Sequence, residues 1–430
     1  MKYWGPKYIF TWIVLLSIIF NSRVDAAVKS PAVSMRKIVS QALDTAALQS
    51  IRMAESLQAR PGVLPKSITK DGELETSKAS WWTSGFFAGQ LWYLYQYKKD
   101  GALKHWADEY TQRVKSQMYT KDNHDVGFMI FCSFGNAYKA TGDPAYKMVI
   151  DTAAQSLSTR FNPTVGAIRS WDFSFPGHKW QYPVIIDNMM NLEMLMWASH
   201  TFQKAEFEQI AVSHANKTLA YHFRPDYSCY HVVSYNTTTG MPEWQGNGQG
   251  YNDTSSWARG QAWALYGFTM MYRETKNPTY LNQANHIAHF ILSHPHLAAD
   301  KIPYWDFNAP DIPHAYRDAS AGAIICSALI ELSQSVKKKL ANQYLAVAET
   351  QLRSLSSSKY RAKLGTNANF ILCHSVGNMP NKTEIDKPLT YTDYYYVEAL
   401  IRYNQYVLHK KSMKEETKKN HITSAVINKK

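Results

Sequence analysis

The sequence predicts an all-α fold in which six helical hairpins close into a barrel. Apolar segments of helical period recur along the chain, and each is opened by a small or polar cluster. Nearly all-apolar segments alternate with amphipathic ones, and no βαβ pattern interrupts the series. The openings are Thr83-Ser84-Gly85, His124-Asp125-Val126-Gly127, Ile186-Asp187-Asn188, Arg259-Gly260-Gln261, Arg317-Asp318-Ala319 and Tyr391-Thr392-Asp393. A helix that is apolar all round is buried all round, so the alternation reads as an inner and an outer ring. An open solenoid of the same hairpins would expose apolar ends, and closure removes them. The inner helices then run the same way and gather their N-termini at one end.

Each element has its own local reason. Met35 to Leu57 places Val39, Leu43, Ala47, Ile51 and Ala54 at helical spacing and stops before Arg60-Pro61-Gly62. Ser84 to Tyr97 is so rich in Phe, Trp, Leu and Tyr that it has no solvent face. Leu103 to Tyr119 is amphipathic, and Val126 to Lys139 is almost wholly apolar or small. Pro144 to Arg160 is amphipathic, with Pro144 suited to a first helical turn. Asp187 to Phe202 is apolar and Met-rich, and Glu206 to Phe223 amphipathic. The pattern repeats in Gln261 to Glu274 with Pro278 to Leu292, and in Ala319 to Leu332 with Val336 to Leu355. Tyr394 to Val407 closes the series.

Four connections are long: Asn162 to Tyr182, Asp226 to Thr254, Leu297 to Tyr316 and Ser356 to Pro388. Long loops in compact domains usually serve binding or catalysis. In the second, a Tyr-His-Val-Val-Ser-Tyr stretch followed by Thr239-Gly240 reads as a short hairpin.

With 430 residues and 45% hydrophobic content, the chain can bury one large core or two ordinary ones. No composition break divides it, so one domain over 27–408 is expected. Lys2 and Lys7 precede the apolar run Tyr8 to Phe20, and Val24-Asp25-Ala26 offers small residues for cleavage. Residues 1–26 therefore read as a secretory signal peptide, which predicts export to the periplasm. The run is too short for a membrane span. From His409 the chain is Lys-rich and poor in core formers, so 409–430 is expected to be a disordered tail. The formal charge of +13 suggests an anionic partner, although part of it lies in that tail. Nucleic acid is disfavoured, because only charge supports it and export argues against it.

Cys132, Cys229, Cys326 and Cys373 are widely spaced, with no CxxC pair and no zinc spacing. Cys132 and Cys326 read as inert buried thiols, and a disulfide between Cys229 and Cys373 is the one pairing left open. No phosphate loop, dinucleotide fingerprint, HExxH or GxSxG occurs in a fitting context.

The chemistry is carried by Asp125 and Asp187. An Asp at a helix start is ordinarily a cap, and Asp318 and Asp393 are read that way. Asp125 is flanked by His124 and Gly127, and Asp187 by Asn188 and Asn191 on an otherwise apolar helix. Polar groups there need a partner, and a substrate is one candidate. Paired carboxylates suit acetal or enol-ether hydrolysis. A helix N-terminus lowers a carboxylate pKa, so burial or a second carboxylate must raise it for a general acid. Trp81, Trp82, Trp171, Trp180, Trp244, Trp257 and Trp263 lie in loops or at inner-helix starts, where sugar rings stack. Arg259 and Arg317 precede inner helices and could hold a carboxylate bidentately. His231 falls on the expected hairpin.

Trp82-Thr83-Ser84-Gly85-Phe86, His124-Asp125-Val126-Gly127-Phe128, Ile186-Asp187-Asn188-Met189-Met190-Asn191 and Trp257-Ala258-Arg259-Gly260-Gln261-Ala262-Trp263 resemble the unsaturated glucuronyl hydrolases of glycoside hydrolase family 88. The resemblance runs from about Met35 to Tyr403. It implies a six-hairpin (α/α)6 barrel acting on lyase products that carry a 4,5-unsaturated uronic acid at the non-reducing end. It further implies that one Asp protonates C4 of the vinyl ether and activates water for C5, with no metal or organic cofactor. By motif, Asp187 matches the acid/base and Asp125 the second carboxylate. Trp82, His124, Trp171, His231, Gln249, Arg259 and Trp263 resemble substrate-contacting positions. The expected partner is an unsaturated uronic-acid oligosaccharide, with sulfation left open. The rival readings are an unsaturated rhamnogalacturonyl hydrolase on the same fold and a non-catalytic binder of acidic glycans. A binder has no need of both Asp125 and Asp187.

Overall fold

The computed structural model describes Met1, residues 33–173 and residues 179–409. The expected leader, apart from Met1, and the Lys-rich tail beyond His409 lie outside the described residues. The chain divides into Met1–Ser34 and Met35–Lys430, and the second unit holds every described helix and strand.

Twelve principal helices follow one another in that unit. They are α1 (Met35–Ser56), α2 (Phe86–Lys98), α3 (Gly101–Arg113), α4 (Asn136–Thr141, led by the π-helical Gly127–Gly135), α5 (Pro144–Ser158) and α6 (Leu192–Phe202, led by the 3-10 turn Ile186–Asn191). Then come α7 (Ala205–Tyr221), α8 (Ala258–Thr275), α9 (Pro278–Ser293), α10 (Ala319–Leu332), α11 (Lys338–Leu355) and α12 (Thr390–Tyr403). Burial separates two rings. All 14 residues of α10 are buried, whereas α11, with 18, buries only Tyr344, Ala348, Gln351, Leu352 and Leu355. The even-numbered helices pack in the order α2, α4, α6, α8, α10, α12 and back to α2, with the π-helical lead of α4 making the contact to α6, which closes the inner ring. Each odd-numbered helix packs outside, and α1 lies against α12, so the first helix seals the hairpin of the last.

Termini follow the expected chemistry. Asp100, Asp143 and Asn277 cap α3, α5 and α9 through side-chain oxygens, and Pro144 and Pro278 occupy the first turns. Lys99 and Gln203 end α2 and α6 in the left-handed conformation.

Three elements differ from the sequence reading. The predicted helix Leu103 to Tyr119 stops at Arg113 and continues as the 3-10 turn Lys115–Tyr119. Asp187 begins in a 3-10 turn rather than an α-helix. Val126 to Lys139 is π-helical over Gly127–Gly135, a difference periodicity cannot register where every residue is apolar or small. Its carbonyls are tied by side chains: Ser133 Oγ donates to Met129 O (2.6 Å) and Asn136 Nδ2 to Cys132 O (2.9 Å). Helix α2 presses on the same carbonyls. A Cβ at Gly85 would lie 2.2 Å from Met129 O, and one at Gly89 2.2 Å from Cys132 O, so only glycine fits at either place.

Short antiparallel pairs decorate the ring. Leu64–Ile68 pairs with Leu74–Ser77, and Ser375–Asn378 with Thr383–Lys387. The hairpin expected around Gly240 is present as Val232–Tyr235 with Pro242–Gly246, and Pro183–Ile185 joins it as an unforeseen third strand. All four cysteines are free, so the Cys229–Cys373 pairing is not made; Cys229 Sγ instead accepts from Gln261 Nε2 at 3.1 Å. Asp318 caps α10 by accepting from Ser320 N. Asp393 is not a cap. It sits inside the first turn of α12 and accepts from Ile371 N (2.8 Å) and Leu372 N (2.9 Å), because that incoming loop has buried donors to satisfy.

Candidate active site

The starts of the inner helices meet at one pocket of about 390 Å³. Trp82 precedes α2, Asp125 precedes α4, Asp187 opens α6, Arg259 lies in the first turn of α8 and Tyr391 in that of α12; all line the pocket. His124, Trp171 and Gln249 line it as well. His231 and Trp263 stand behind the wall: the first against Asp187, the second fully buried between Phe128 and Tyr395 at 5.3 and 5.4 Å.

Neither Asp125 nor Asp187 behaves as a cap, and neither helix start carries a side-chain cap. Their side chains are 21% and 10% exposed. Burial pushes Asp125 up to about 8, the Asp187 charge adds to this, and Arg160 opposes it. Burial likewise pushes Asp187 up to about 7, against the Arg259 charge, its own backbone and the Trp263 indole. Desolvation thus outweighs the helix N-terminus, and the repulsion between carboxylates is the smaller contribution.

Two histidines face the carboxylates. His124 Nε2 is 3.4 Å from Asp125 Oδ1, and His231 Nε2 is 3.5 Å from Asp187 Oδ2. Burial lowers His124 to about 3 and His231 well below its usual range, so both are neutral at pH 7. His231 Nδ1 accepts the N–H of Gly248 at 3.0 Å, which leaves the ring proton on Nε2, facing Asp187.

Arg259 does not offer a free fork. Its Nη1 meets Asp318 Oδ2 (3.3 Å) and Val376 O (2.5 Å), and its Nη2 meets Gln249 Oε1 (2.8 Å) and Gly377 O (2.6 Å). Both terminal nitrogens of this deeply buried guanidinium are thus paired by the protein itself. Its effect on the pocket is to hold Gln249 in the wall by its side-chain oxygen. Arg317 is engaged elsewhere, by Asp300 and the Ile302 carbonyl, and does not line the pocket. Asn188 and Asn191 also find protein partners: Asn188 Nδ2 donates to Ile168 O (2.9 Å), and Asn191 Oδ1 accepts from Phe128 N (3.0 Å).

Aromatic rings form one side. Trp171 and Phe173 stack at 5.4 Å and 15°, and Trp82 packs on Tyr391 at 5.0 Å. The far wall is the hairpin Ser375–Asn378/Thr383–Lys387, which supplies Asn378, Asn381, Thr383 and Glu384. The length of the 356–388 connection signals such a role, but no motif singles out Glu384. It pairs with Lys66 at 3.2 Å, and Lys66 lies 5.2 Å from the Trp81 ring. Among the described residues no cluster of three or more His, Cys, Asp or Glu could hold a metal ion.

A second cavity, of about 350 Å³, lies among the C-terminal halves of the inner helices. Its charges are paired internally: Arg273 bridges Glu193 and Glu331, each at 2.7 Å, and Glu398 accepts from Tyr93, Tyr266 and Ser327.

The closed helical barrel with a buried carboxylate pair at its mouth, taken with the relatives described next, is that of a glycoside hydrolase. Residues 58–410 match the family model Glycosyl Hydrolase Family 88, and the chain belongs to that family. It is 46% identical over 354 residues to an unsaturated glucuronyl hydrolase of Formosa agariphila, covering 82% of this chain and 85% of that protein. It is 30% identical over 371 residues to an unsaturated chondroitin disaccharide hydrolase of Streptococcus pyogenes serotype M1, covering 85% and 91%. Among solved structures, an unsaturated glucuronyl hydrolase specific for heparin superposes with a TM-score of 0.83 at 47% identity, over 86% of this chain and 97% of that one. The unsaturated glucuronyl hydrolase of Bacillus sp. GL1 gives 0.79 at 27% identity, over 85% and 97%.

Proposed function

We propose that the protein releases 4,5-unsaturated glucuronic acid from the non-reducing end of lyase-generated glycosaminoglycan oligosaccharides. The observation that carries this reading is the pair Asp125 and Asp187, raised to about 8 and about 7 in one pocket. A carboxyl poised near neutrality can both give and take a proton, as hydration of a vinyl ether requires. Asp187 in its acid form donates to C4, which places positive charge on C5 and the ring oxygen. The resulting Asp187 carboxylate accepts a proton from the water that adds at C5, so the enzyme returns to its starting state. The C5 hemiketal then opens and releases the neighbouring sugar. Asp125 holds the second proton of the pair, Gln249 lines the pocket beside it, and the Trp171–Phe173 stack offers a ring-sized face. The basic charge balance suits an anionic substrate. The 47% identity to a heparin-specific enzyme makes unsaturated heparin disaccharides the first substrates to try.

The test is the ultraviolet absorbance of the conjugated uronate in unsaturated heparin and chondroitin disaccharides. Wild type should consume it, and Asp187→Asn should be slower by roughly 10²- to 10⁴-fold. Folded wild type that leaves every unsaturated glucuronide intact, including after rhamnogalacturonan fragments are tried, would overturn the reading in favour of a glycan-binding protein.

Residues 1–26 direct export to the periplasm in the same proposal. N-terminal sequencing of protein recovered from a periplasmic fraction should begin near Ala27, and an intact Met1 there would refute it.

A further inference from the structure

Asn191 sits on a helix start that is otherwise apolar, and its partner is not a ligand. Its Oδ1 accepts the N–H of Phe128 at 3.0 Å in a fully buried setting. That N–H is one of the donors a helix start leaves without an intrahelical acceptor. Directly beside it, a Cβ at Gly127 would lie 2.5 Å from Asn191 Oδ1 and 2.7 Å from its Cα, so the two backbones touch with nothing between them. Asn191 ends the 3-10 turn that carries Asp187, and Gly127 begins the π-helical stretch two residues after Asp125. The Asn191 hydrogen bond and the missing Cβ of Gly127 hold the two carboxylate-bearing segments backbone to backbone, beside the side-chain contact of His124 with Asn188.

We infer that Asn191, seated against Gly127, is a positioning residue that sets the separation of Asp125 and Asp187 and with it the pH range over which the pair works. This rests on the function proposed above. Coulomb coupling between two carboxylates falls with distance, so widening the gap makes the pair easier to ionise. The other charged or titratable groups facing the pair are His124, Asp122 and Arg160 on the Asp125 side and His231, Arg259 and Cys229 on the Asp187 side. Glu384 and Tyr391 face it across the pocket. Of these only His124 also reaches across, to the Asn188 side chain on the Asp187 segment.

The experiment is the pH profile of kcat/KM on an unsaturated disaccharide for wild type, Asn191→Ala, Gly127→Ala, Asn191→Asp and Ser133→Ala. Asn191→Ala removes the brace, and Gly127→Ala pushes it away from the other side. Both should move the alkaline limb down by about half a pH unit or more, and lower kcat on the order of tenfold. Asn191→Asp keeps the acceptor and its shape, so its limb should stay or move up. Ser133→Ala removes a hydroxyl from the same π-helical stretch and should leave the limb where it is, whatever it does to stability. The position of a limb does not depend on how much enzyme is folded. Unchanged limbs in both Asn191→Ala and Gly127→Ala, or an equal downward shift in Asn191→Asp or Ser133→Ala, would overturn the inference. Inactive wild type would instead count against the proposed function. The pH dependence of the melting temperature then reads the same coupling without turnover, and should be flatter near neutrality in Asn191→Ala.

Discussion

His231 presents Nε2 to Asp187 Oδ2 at 3.5 Å while its Nδ1 accepts the N–H of Gly248. The loop after the Pro242–Gly246 strand thereby fixes which ring nitrogen carries the proton. A histidine held in this way turns a neutral N–H edge toward the carboxylate without lending it a charge, and Asp187 keeps its raised proton affinity.

That tautomer can be observed directly. In ¹⁵N spectra His231 should show a protonated Nε2 and an unprotonated Nδ1, unchanged from pH 8 down to about 5. Conversion to the doubly protonated ring within that range would contradict the hydrogen bond from Gly248.

Asp125 makes the folded protein less stable as the pH rises. Its folded pKa is raised from 3.8 to about 8, so between those values the native state binds more protons than the unfolded chain, and stability falls through that window. Asp125→Asn should therefore stabilise by on the order of 2 kcal/mol at pH 8, with the gain vanishing below about pH 4. Urea unfolding at the two pH values measures it, and an equal effect at both would disprove the linkage.

Arg259 is a different kind of residue. Replacing it with Gln strands Asp318 and releases Gln249 together with the strand carrying Val376 and Gly377. Loss of one partner from a buried, hydrogen-bonded pair costs about 3–5 kcal/mol. Denaturant titration should show that loss, and KM should rise as the amide of Gln249 loses its orientation. A variant with native stability would mean the guanidinium is not the clamp described.

At the other end of the barrel, Glu398 accepts three hydroxyl protons and lies 3.4 Å from Arg402. Glu398→Ala leaves those donors buried and unpaired, and should cost about 3 kcal/mol or more. The pH limbs of activity should not move. A shifted limb would show that the two ends communicate electrostatically.

The ring order was legible because inner and outer helices differ in composition over their whole length, as α10 and α11 do. Trp82, His124, Asp125 and Asp187 were legible because short motifs mark them, Trp171 and Gln249 through the family resemblance, and the pocket gathers all six. What hid from the sequence depends on partners far away in the chain. Asp318 and Asp393 open inner helices alike, but one caps its own helix and the other serves a loop some twenty residues earlier. Arg259 looked free because the carbonyls of Val376 and Gly377, which engage its Nη1 and Nη2, carry no residue signature. Glu384 owes its place to a hairpin whose register only the folded chain fixes.

Because α1 lies against α12, the ring cannot shut until the last inner helix exists. The same late stretch brings Asn378, Glu384 and Tyr391 to the pocket wall. A ribosome-bound chain that stops short of residue 375 thus has both aspartates and neither a far wall nor a closed core. The site thus waits on the last inner hairpin: a half-made molecule holds the acid chemistry without the chamber that would use it.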